Sequence, residues 1–459
     1  MTHYRVHNPN TGEVEERFPS LPAAAIPGVI SASWDAFTSW RDTPMATRAA
    51  ILHRFGELIT ERSAELADII GREMGKPLRD GAAELATVSQ HAHWFVDNAP
   101  RYLEPTALDA GDGIPTYVLH QPLGVLLGIM PWNFPYSQIA RFALPQLMVG
   151  NTILMKQAEI CPRSSAAFAA LLREAGLPDG VYQNIYLDIA DTEKVLADPR
   201  VKGVSLTGSE RAGSSVAQLA GKYTKRSLLE LGGNDAMVVL DAADIAAVAR
   251  EAVRTRVFNA GQVCTSNKRI IVLDSVFEEF LAAARAEIAS IVVGPYDDPA
   301  TDMGPLSSIA ARDEVVRRVA SAVAAGAHRH YGGHKIDRPG AYMTPALLTD
   351  IPADHDIARN ELFGPVVALY RVADEEAALE LANSTAYGLQ SSVWSQDLEK
   401  AQRFAARLAA GMTIINKHRE SAPTWPFGGI NRSGYGREEG AWGLRAFTNE
   451  HAVRVHPAR

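Results

Sequence analysis

The sequence predicts an α/β fold with two Rossmann-like parallel sheets and a small separate β element. Three observations carry this reading. The chain has 459 residues, too many for one ordinary hydrophobic core, so two or three domains are expected. From Leu123 onward, short continuous apolar runs alternate with helical stretches, as parallel strands buried on both faces do. The same alternation resumes after Cys264, which indicates a second α/β unit.

In chain order, the first hundred residues read as helix. "TPMATRAAILHRFGELITERSAELADIIGREMGKP" opens with Thr43 as N-cap and Pro44 at the first helical position, and it stops at Gly75 and Pro77. A second helix is expected from about Asp80 to Val96. In "EPTALDAGDGIPTYVLHQP" the turn residues Asp109 to Gly113 separate two extended pieces, a hairpin standing apart from the helices. The apolar runs that follow are "LGVLLGIM", "TILMK", "VKGVSLTG", "SLLELGG" and "AMVVL" before Cys264, then "RIIVL", "VVALY", "QSSVWS" and "MTIIN" after it. The C-terminal "HAVRVHPAR" reads as a strand, and a chain end that pairs elsewhere suits an oligomer. No long linker, low-complexity segment or internal repeat interrupts this order.

Composition narrows the function. Forty-five basic against 53 acidic residues leave a net charge of −8 with no basic block, which argues against nucleic acid or an anionic membrane as partner. "MTHYRVHNPNTGEVEERFPS" has no apolar core for a signal peptide, and "LGVLLGIMPWNF" is too short to span a membrane. Two cysteines, Cys161 and Cys264, make no disulfide framework, so a cytoplasmic location is expected. The 13 histidines are scattered without matching Cys or acidic ligands, so no metal site is expected. There is no Walker loop and no G-x-S-x-G elbow.

Four segments carry candidate chemistry. "NAGQVCTSNKR" sets Cys264 among polar and glycine residues, where a thiol is either the buried start of a strand or a reachable nucleophile. "VSLTGSERAG" puts Thr207, Gly208 and Ser209 at a strand-to-helix turn, whose amides can face a phosphate. "LLELGGNDAMVVLD" carries Glu230 out of an apolar run, either into solvent or into a working site. "GIMPWNFPYSQIARFALPQLMVGNTILMKQAEICP" holds Asn133 between two prolines, Arg141 in an apolar segment and Lys156 at a strand end. The Asn133 amide is either a turn residue or an oxyanion donor.

Asn133, Lys156, the Thr207–Ser209 turn, "ELGGN", "GQVC", "NELFGPV" and "PFGGINRSGYGREEG" occur in that order. Cys264 lies 34 residues after Glu230, and Glu361 lies 97 after Cys264. This ordered set resembles the NAD(P)-dependent aldehyde dehydrogenase superfamily over essentially the whole chain. "PWNFPYSQIAR" and "VKGVSLTGSERAG" are most similar to short bacterial succinate-semialdehyde dehydrogenases. The resemblance implies a cofactor-binding domain of residues 1–103 and 123–232, a catalytic domain of 233–446, and an oligomerisation hairpin and strand at 104–122 and 447–459. A homodimer or homotetramer is implied with them.

It also implies roles. Cys264 attacks the aldehyde, Asn133 and the Cys264 amide hold the oxyanion, and Glu230 activates water against the thioester. Trp132, Lys156, Glu159, Thr207, Gly208, Ser209, Gly232, Glu361 and Phe363 contact NAD or NADP. The Glu159 carboxylate repels a 2′-phosphate, which favours NAD. Arg141 grips the ω-carboxylate of succinic semialdehyde, with Phe258 and Trp425 lining the pocket. Phe258 stands where some semialdehyde enzymes carry a second arginine. Other aliphatic or aromatic aldehydes remain open as substrates. A thiol ester hydrolase is the alternative of a different class, but it gives the cofactor residues no purpose.

Overall fold

The computed structural model describes residues 4–420 and 422–458. A six-stranded sheet runs in the order Gly434–Tyr435, Arg226–Glu230, Val201–Thr207, Val125–Met130, Thr152–Gln157 and Tyr182–Asn184. Its pairs are parallel except where Gly434–Tyr435 meets Leu229 and Glu230. A seven-stranded sheet runs His328–Gly332, Ala346–Thr349, Val366–Val372, Arg269–Leu273, Ala236–Val239, Gln390–Trp394 and Met412–Ile415. Only its first pair is antiparallel.

Continuous apolar runs are required because each sheet is covered on both faces. Leu126, Met130, Ile153 and Met155 join one cluster with the N-terminal helices. Their alternates Val125, Leu127, Leu154, Val204 and Leu206 join another on the opposite face. The second sheet divides likewise: Met237, Val239, Ile270 and Val272 face one cluster, and Ala236, Val238, Ile271 and Val393 the other. Successive side chains point to opposite faces, so both must be apolar.

Four expectations need correction. The helix expected from 43 to 75 is two, Met45–Glu61 and Ser63–Met74, broken at Arg62 (φ −106°, ψ 17°). Thr43 does not cap it; Pro44 is the N-cap residue in extended backbone, and the Thr43 hydroxyl donates to the Ser39 carbonyl. Helix Leu78–Leu103 outlasts its expected end at Val96, because Ala99 is buried and Tyr102 and Leu103 pack on the core. The first hundred residues are also not all helix, since Arg5–Asn8 and Glu13–Arg17 form a hairpin. Gly75 does end its helix in the left-handed region (φ 80°).

The strands Thr106–Leu108, Thr116–Pro122 and Thr448–Arg454 form a third sheet of their own. Asp109 and Asp112 accept from the amides of Gly111 and Ile114 and shape the turn.

Helix Pro135–Val149 positions the cleft. It is buried nearly all round, which explains its apolar sequence on every face. Pro135 starts it, and the free amides of Tyr136 and Ser137 donate to Glu84 Oε1 at 2.9 and 3.1 Å. Glu84 also pairs with the buried Lys76 ammonium. A carboxylate thus complements the positive end of the helix.

Candidate active site

The candidate residues gather at the C-terminal ends of the parallel strands, where open α/β sheets bind ligands. Strand Val125–Met130 leads to Trp132 and Asn133, Thr152–Gln157 carries Lys156, Val201–Thr207 leads into Gly208 and Ser209, and Arg226–Glu230 ends on Glu230.

Cys264 is half-buried on a loop that follows helix Ile245–Val257. Asn259 and Ala260 there take left-handed backbone (φ 52° and 53°), a strained conformation for residues with side chains. Hydrogen bonds hold it. Asn259 Nδ2 donates to the Asn133 carbonyl at 2.9 Å, and Asn133 Nδ2 donates to the Gln262 carbonyl at 3.1 Å. The buried Arg256 donates to the carbonyls of Val366 (2.8 Å), Leu362 (2.6 Å) and Gly261 (3.1 Å) and to Ser266 Oγ (3.1 Å). Asn133 and the cysteine loop are therefore one hydrogen-bonded unit spanning both sheets.

Burial pushes the Cys264 thiol up to about 12, with Arg141 and Lys268 favouring the thiolate and Glu230 and Glu361 opposing it. Glu230 is buried and also raised, first by desolvation and then by Glu438. Neither Glu230 oxygen completes a hydrogen bond among the described residues, although the Gly429 amide acts on it. Glycine is needed beside it, since Gly428 takes φ 151° and a Cβ there would stand 2.8 Å from the Gly436 carbonyl and 2.9 Å from Glu230 Oε1.

Arg141 lies buried with its guanidinium 4.1 Å from the Phe427 ring centroid. Nη2 donates to Gln138 Oε1 at 2.6 Å and stands 3.1 Å from Glu438 Oε2. Burial lowers its basicity, but the negative field of Glu438, Glu439, Cys264 and Glu230 more than reverses this. Glu439 is buried at φ 60° and pushed up to about 8 by desolvation.

A cavity of about 630 Å³ is lined by Ser209, Gly232 and Glu361 together with Arg318 and Tyr387. Gly232 packs closely on Glu361: a Cβ there would lie 2.3 Å from Glu361 Oε2 and displace that carboxylate. Glu361 accepts from the Gly233 amide at 3.2 Å and pairs with Lys268 at 3.1 Å. Trp132 and Phe363 meet edge to face at 5.7 Å, outside that cavity. Lys156 is buried and 5.5 Å from the Tyr4 ring; desolvation lowers its ammonium, and Glu159 opposes the shift. Thr207 Oγ1 is a buried hydroxyl without a partner among the described residues, at the turn into helix Glu210–Lys222. That orphan, the cavity and the helix N-terminus fit a dinucleotide. A larger cavity of about 1050 Å³ touches none of the expected residues. Among the described residues no cluster could hold a metal, and no helix is long and apolar enough to cross a membrane.

Phe258 packs on Phe134 with centroids 6.1 Å apart, and Trp425 is half-buried on the neighbouring loop. Sequence reasoning missed Arg256, Lys268, Glu438 and Glu439. "GREEG" did hold a signal, because adjacent acids in a glycine-rich segment following "PFGG" have no obvious solvent face.

Two α/β sheets flank one cavity, with a thiol, an amide and an unpartnered carboxyl nearby, an arrangement that fits a dinucleotide-dependent enzyme class. The chain belongs to the aldehyde dehydrogenase family, whose model matches residues 1–453. It is 46% identical to the NADP(+) succinate-semialdehyde dehydrogenase of Deinococcus radiodurans, over 98% of this chain and 94% of that one. A Mycobacterium avium protein of the same name is 39% identical, over 98% and 96%. The solved structure of succinic semialdehyde dehydrogenase from Streptococcus pyogenes in complex with NADP+ superposes with a TM-score of 0.96. It shares 38% identity and covers 98% of this chain and 99% of that one.

Proposed function

We propose that this enzyme oxidises succinic semialdehyde to succinate with a nicotinamide dinucleotide. The observation that carries the substrate is Arg141, a buried guanidinium eight residues beyond Asn133 on a helix locked at its N-terminus. The relatives' names support the same substrate. Arg141 orients the far carboxylate by charge-assisted hydrogen bonds while Asn133 receives the aldehyde oxygen.

Burial disfavours the charged forms of both Cys264 and Glu230 and raises both groups. The Cys264 thiol passes its proton to water, and the thiolate adds to the aldehyde carbon. Asn133 and the Cys264 amide hold the resulting oxyanion. A nicotinamide dinucleotide, when bound, would supply the two-electron acceptor for oxidation of the adduct to the thioester. Glu230, once ionised, takes a proton from the water that attacks the Cys264 thioester. Ser209, Glu361, Lys156, Trp132 and Phe363 would hold the cofactor. Residues 1–103 and 123–232 serve as its domain, 233–446 as the catalytic domain, and 104–122 with 447–459 as the assembly element of a homodimer or homotetramer in the cytoplasm.

The preference for NAD read from Glu159 finds no support in these relatives, whose names specify NADP(+). The relatives favour NADP, with Lys156 as the cation near the ribose. The kcat/KM ratio for the two cofactors decides between them.

The test is a panel of aldehydes followed at the reduced-nicotinamide absorbance. Succinic semialdehyde should exceed butanal, and Cys264→Ser should abolish the signal. Arg141→Met should reduce the semialdehyde-to-butanal ratio of kcat/KM by roughly ten- to a hundredfold. Ester hydrolysis without cofactor reduction, or equal losses for both aldehydes, would overturn the reading.

A further inference from the structure

The cysteine loop closes around a buried cation. The Lys268 side chain is 1% exposed, and its ammonium meets three acceptors: the Cys264 carbonyl, the Val263 carbonyl at 3.0 Å and Glu361 Oε1 at 3.1 Å. An ammonium has three hydrogens, so its donors are fully used. The Lys268 amide donates to the Ser266 carbonyl at 2.8 Å, and strand Arg269–Leu273 begins at the next residue. The cation therefore stands at the start of a strand and reaches back over the loop.

The Val263 carbonyl and the Cys264 N–H belong to one peptide. No cis bond occurs among the described residues, so this unit is planar and trans, and its two polar groups point in opposite directions. Whatever holds the carbonyl sets the direction of the N–H. Lys268 does so together with the Ser266 amide, which donates to the same carbonyl at 3.2 Å. The Cys264 N–H itself donates to no acceptor among the described residues. An oxyanion donor needs that freedom before substrate arrives.

Glu361 anchors the other side of the ammonium. Its Oε1 also accepts from the Gly233 amide at 3.2 Å, and a Cβ at Gly233 would stand 3.0 Å from the Cys264 carbonyl oxygen. The segment after strand Arg226–Glu230, Glu361 and the cysteine loop thus meet at one cation. Two further ionisable groups feel Lys268: Asp235, whose carboxyl is pushed up to about 7 by burial, and His418. Lys268 also favours the Cys264 thiolate. Charge and aim can both reach the reacting residue, and they are separable.

We propose that Lys268 is a positioning residue for the oxyanion: by holding the Val263 carbonyl it aims the Cys264 N–H at the aldehyde oxygen, and Glu361 holds Lys268 in place. This rests on the reading of Cys264 as the nucleophile whose amide holds the oxyanion.

The experiment compares wild type, Lys268→Met and Lys268→Gln in two reactions of Cys264. Oxidation of succinic semialdehyde and of butanal forms an oxyanion. Alkylation by iodoacetamide without cofactor, followed at Cys264 by peptide mass spectrometry, attacks a saturated carbon and forms none. Both variants lose the charge, so both should slow alkylation by a similar factor. Lys268→Met should lower kcat/KM for both aldehydes by roughly tenfold or more beyond its effect on alkylation. Lys268→Gln keeps N–H donors and should recover part of that excess. Equal falls in oxidation and alkylation would leave Lys268 a source of field alone and overturn the aiming role. Glutamine faring no better than methionine, or a loss confined to the semialdehyde, overturns it too. Should Lys268→Met not fold, Lys268→Gln against wild type carries the test: oxidation falling further than alkylation supports the aim, and an equal fall overturns it. Aldehyde oxidation that survives in Cys264→Ser overturns instead the reading on which this rests.

Discussion

Two regions of this molecule bury carboxylates, and they treat them in opposite ways. At the N-termini of helices Pro135–Val149 and Pro162–Glu174, Glu84 and Glu73 are fully engaged. Glu84 accepts two amides and pairs with Lys76, while Glu73 accepts the amides of Arg163 (2.6 Å) and Ser164 (3.1 Å) and the Ser164 hydroxyl. Around Arg141, Glu230 completes no hydrogen bond among the described residues, Glu438 has only its ion pair with Arg141 at 3.1 Å, and Glu439 Oε2 is unpartnered. One region ties its carboxyl oxygens to helix amides and so fixes the backbone, although burial raises Glu73 to about 8 all the same. The other leaves carboxyl oxygens without hydrogen bonds.

The contrast teaches where to look for chemistry in a large enzyme. A satisfied buried carboxylate has its free energy committed to the fold, and removing it exposes uncompensated partners. An unsatisfied one costs stability at rest and is retained only where a reaction needs it. Cleft residues therefore should trade activity for stability in the opposite sense from the capping residues.

The sharpest break of this comparison is Glu230→Gln. Turnover should fall by about 10²–10⁴, the usual worth of a general base. An initial burst of reduced cofactor should survive, because acylation precedes the water step. The melting temperature should hold or rise, since a buried ionisable group without a partner has gone. In the wild type, turnover should climb with pH as Glu230, held above the usual carboxylate range, loses its proton. That slope should disappear in the variant. Stopped-flow kinetics and calorimetry check both sides, and a large fall in melting temperature would contradict the assignment of Glu230 to the unsatisfied group.

Glu84→Gln should do the reverse. Breaking a buried pair leaves Lys76 uncompensated, at a cost of about 3–5 kcal/mol. Denaturant unfolding should show that loss, while the protein that remains folded keeps most of its turnover. Lost turnover at full stability would place Glu84 in the chemistry instead.

The smallest effect at any one pH step concerns Glu439, whose carboxyl is raised from 4.5 to about 8 in the folded chain by burial. A raised acid binds more protons folded than unfolded between those values, so its contribution to stability is complete below about 4.5 and is lost as pH climbs to about 8. The slope is at most about 1.4 kcal/mol per pH unit. Glu439→Gln should flatten the melting temperature over that window. An unchanged slope would mean that Arg141 keeps Glu439 ionised throughout.

The assembly of strands was legible in the sequence because strands buried on both faces must be apolar at every position. "LGVLLGIM" and "AMVVL" could not be half-exposed strands. The ordered motifs around Asn133, Glu230 and Cys264 were legible for a related reason, as polar residues stood at the ends of apolar runs. The hairpin at residues 5–17 was not, since Glu13–Arg17 is polar and exposed and has no periodicity to betray it. Nor was the break at Arg62, where no proline or glycine marks the change of direction.

By itself, then, the sequence determined the two sheets, the strand-end placement of the candidate residues and the identity of the nucleophile candidate. The sheets and the strand-end placement follow from local pattern, hydrophobic period and turn residues, while Cys264 as nucleophile candidate follows from the resemblance carried by the ordered motifs. Only the tertiary structure decided the electrostatics. Glu438, Glu439 and Arg141 come from segments nearly 300 residues apart, and their mutual distance depends on how the 427–438 segment folds back over Glu230. Desolvation, which sets whether Cys264 and Glu230 rest charged or neutral, is a property of that packed assembly and of no single stretch of chain.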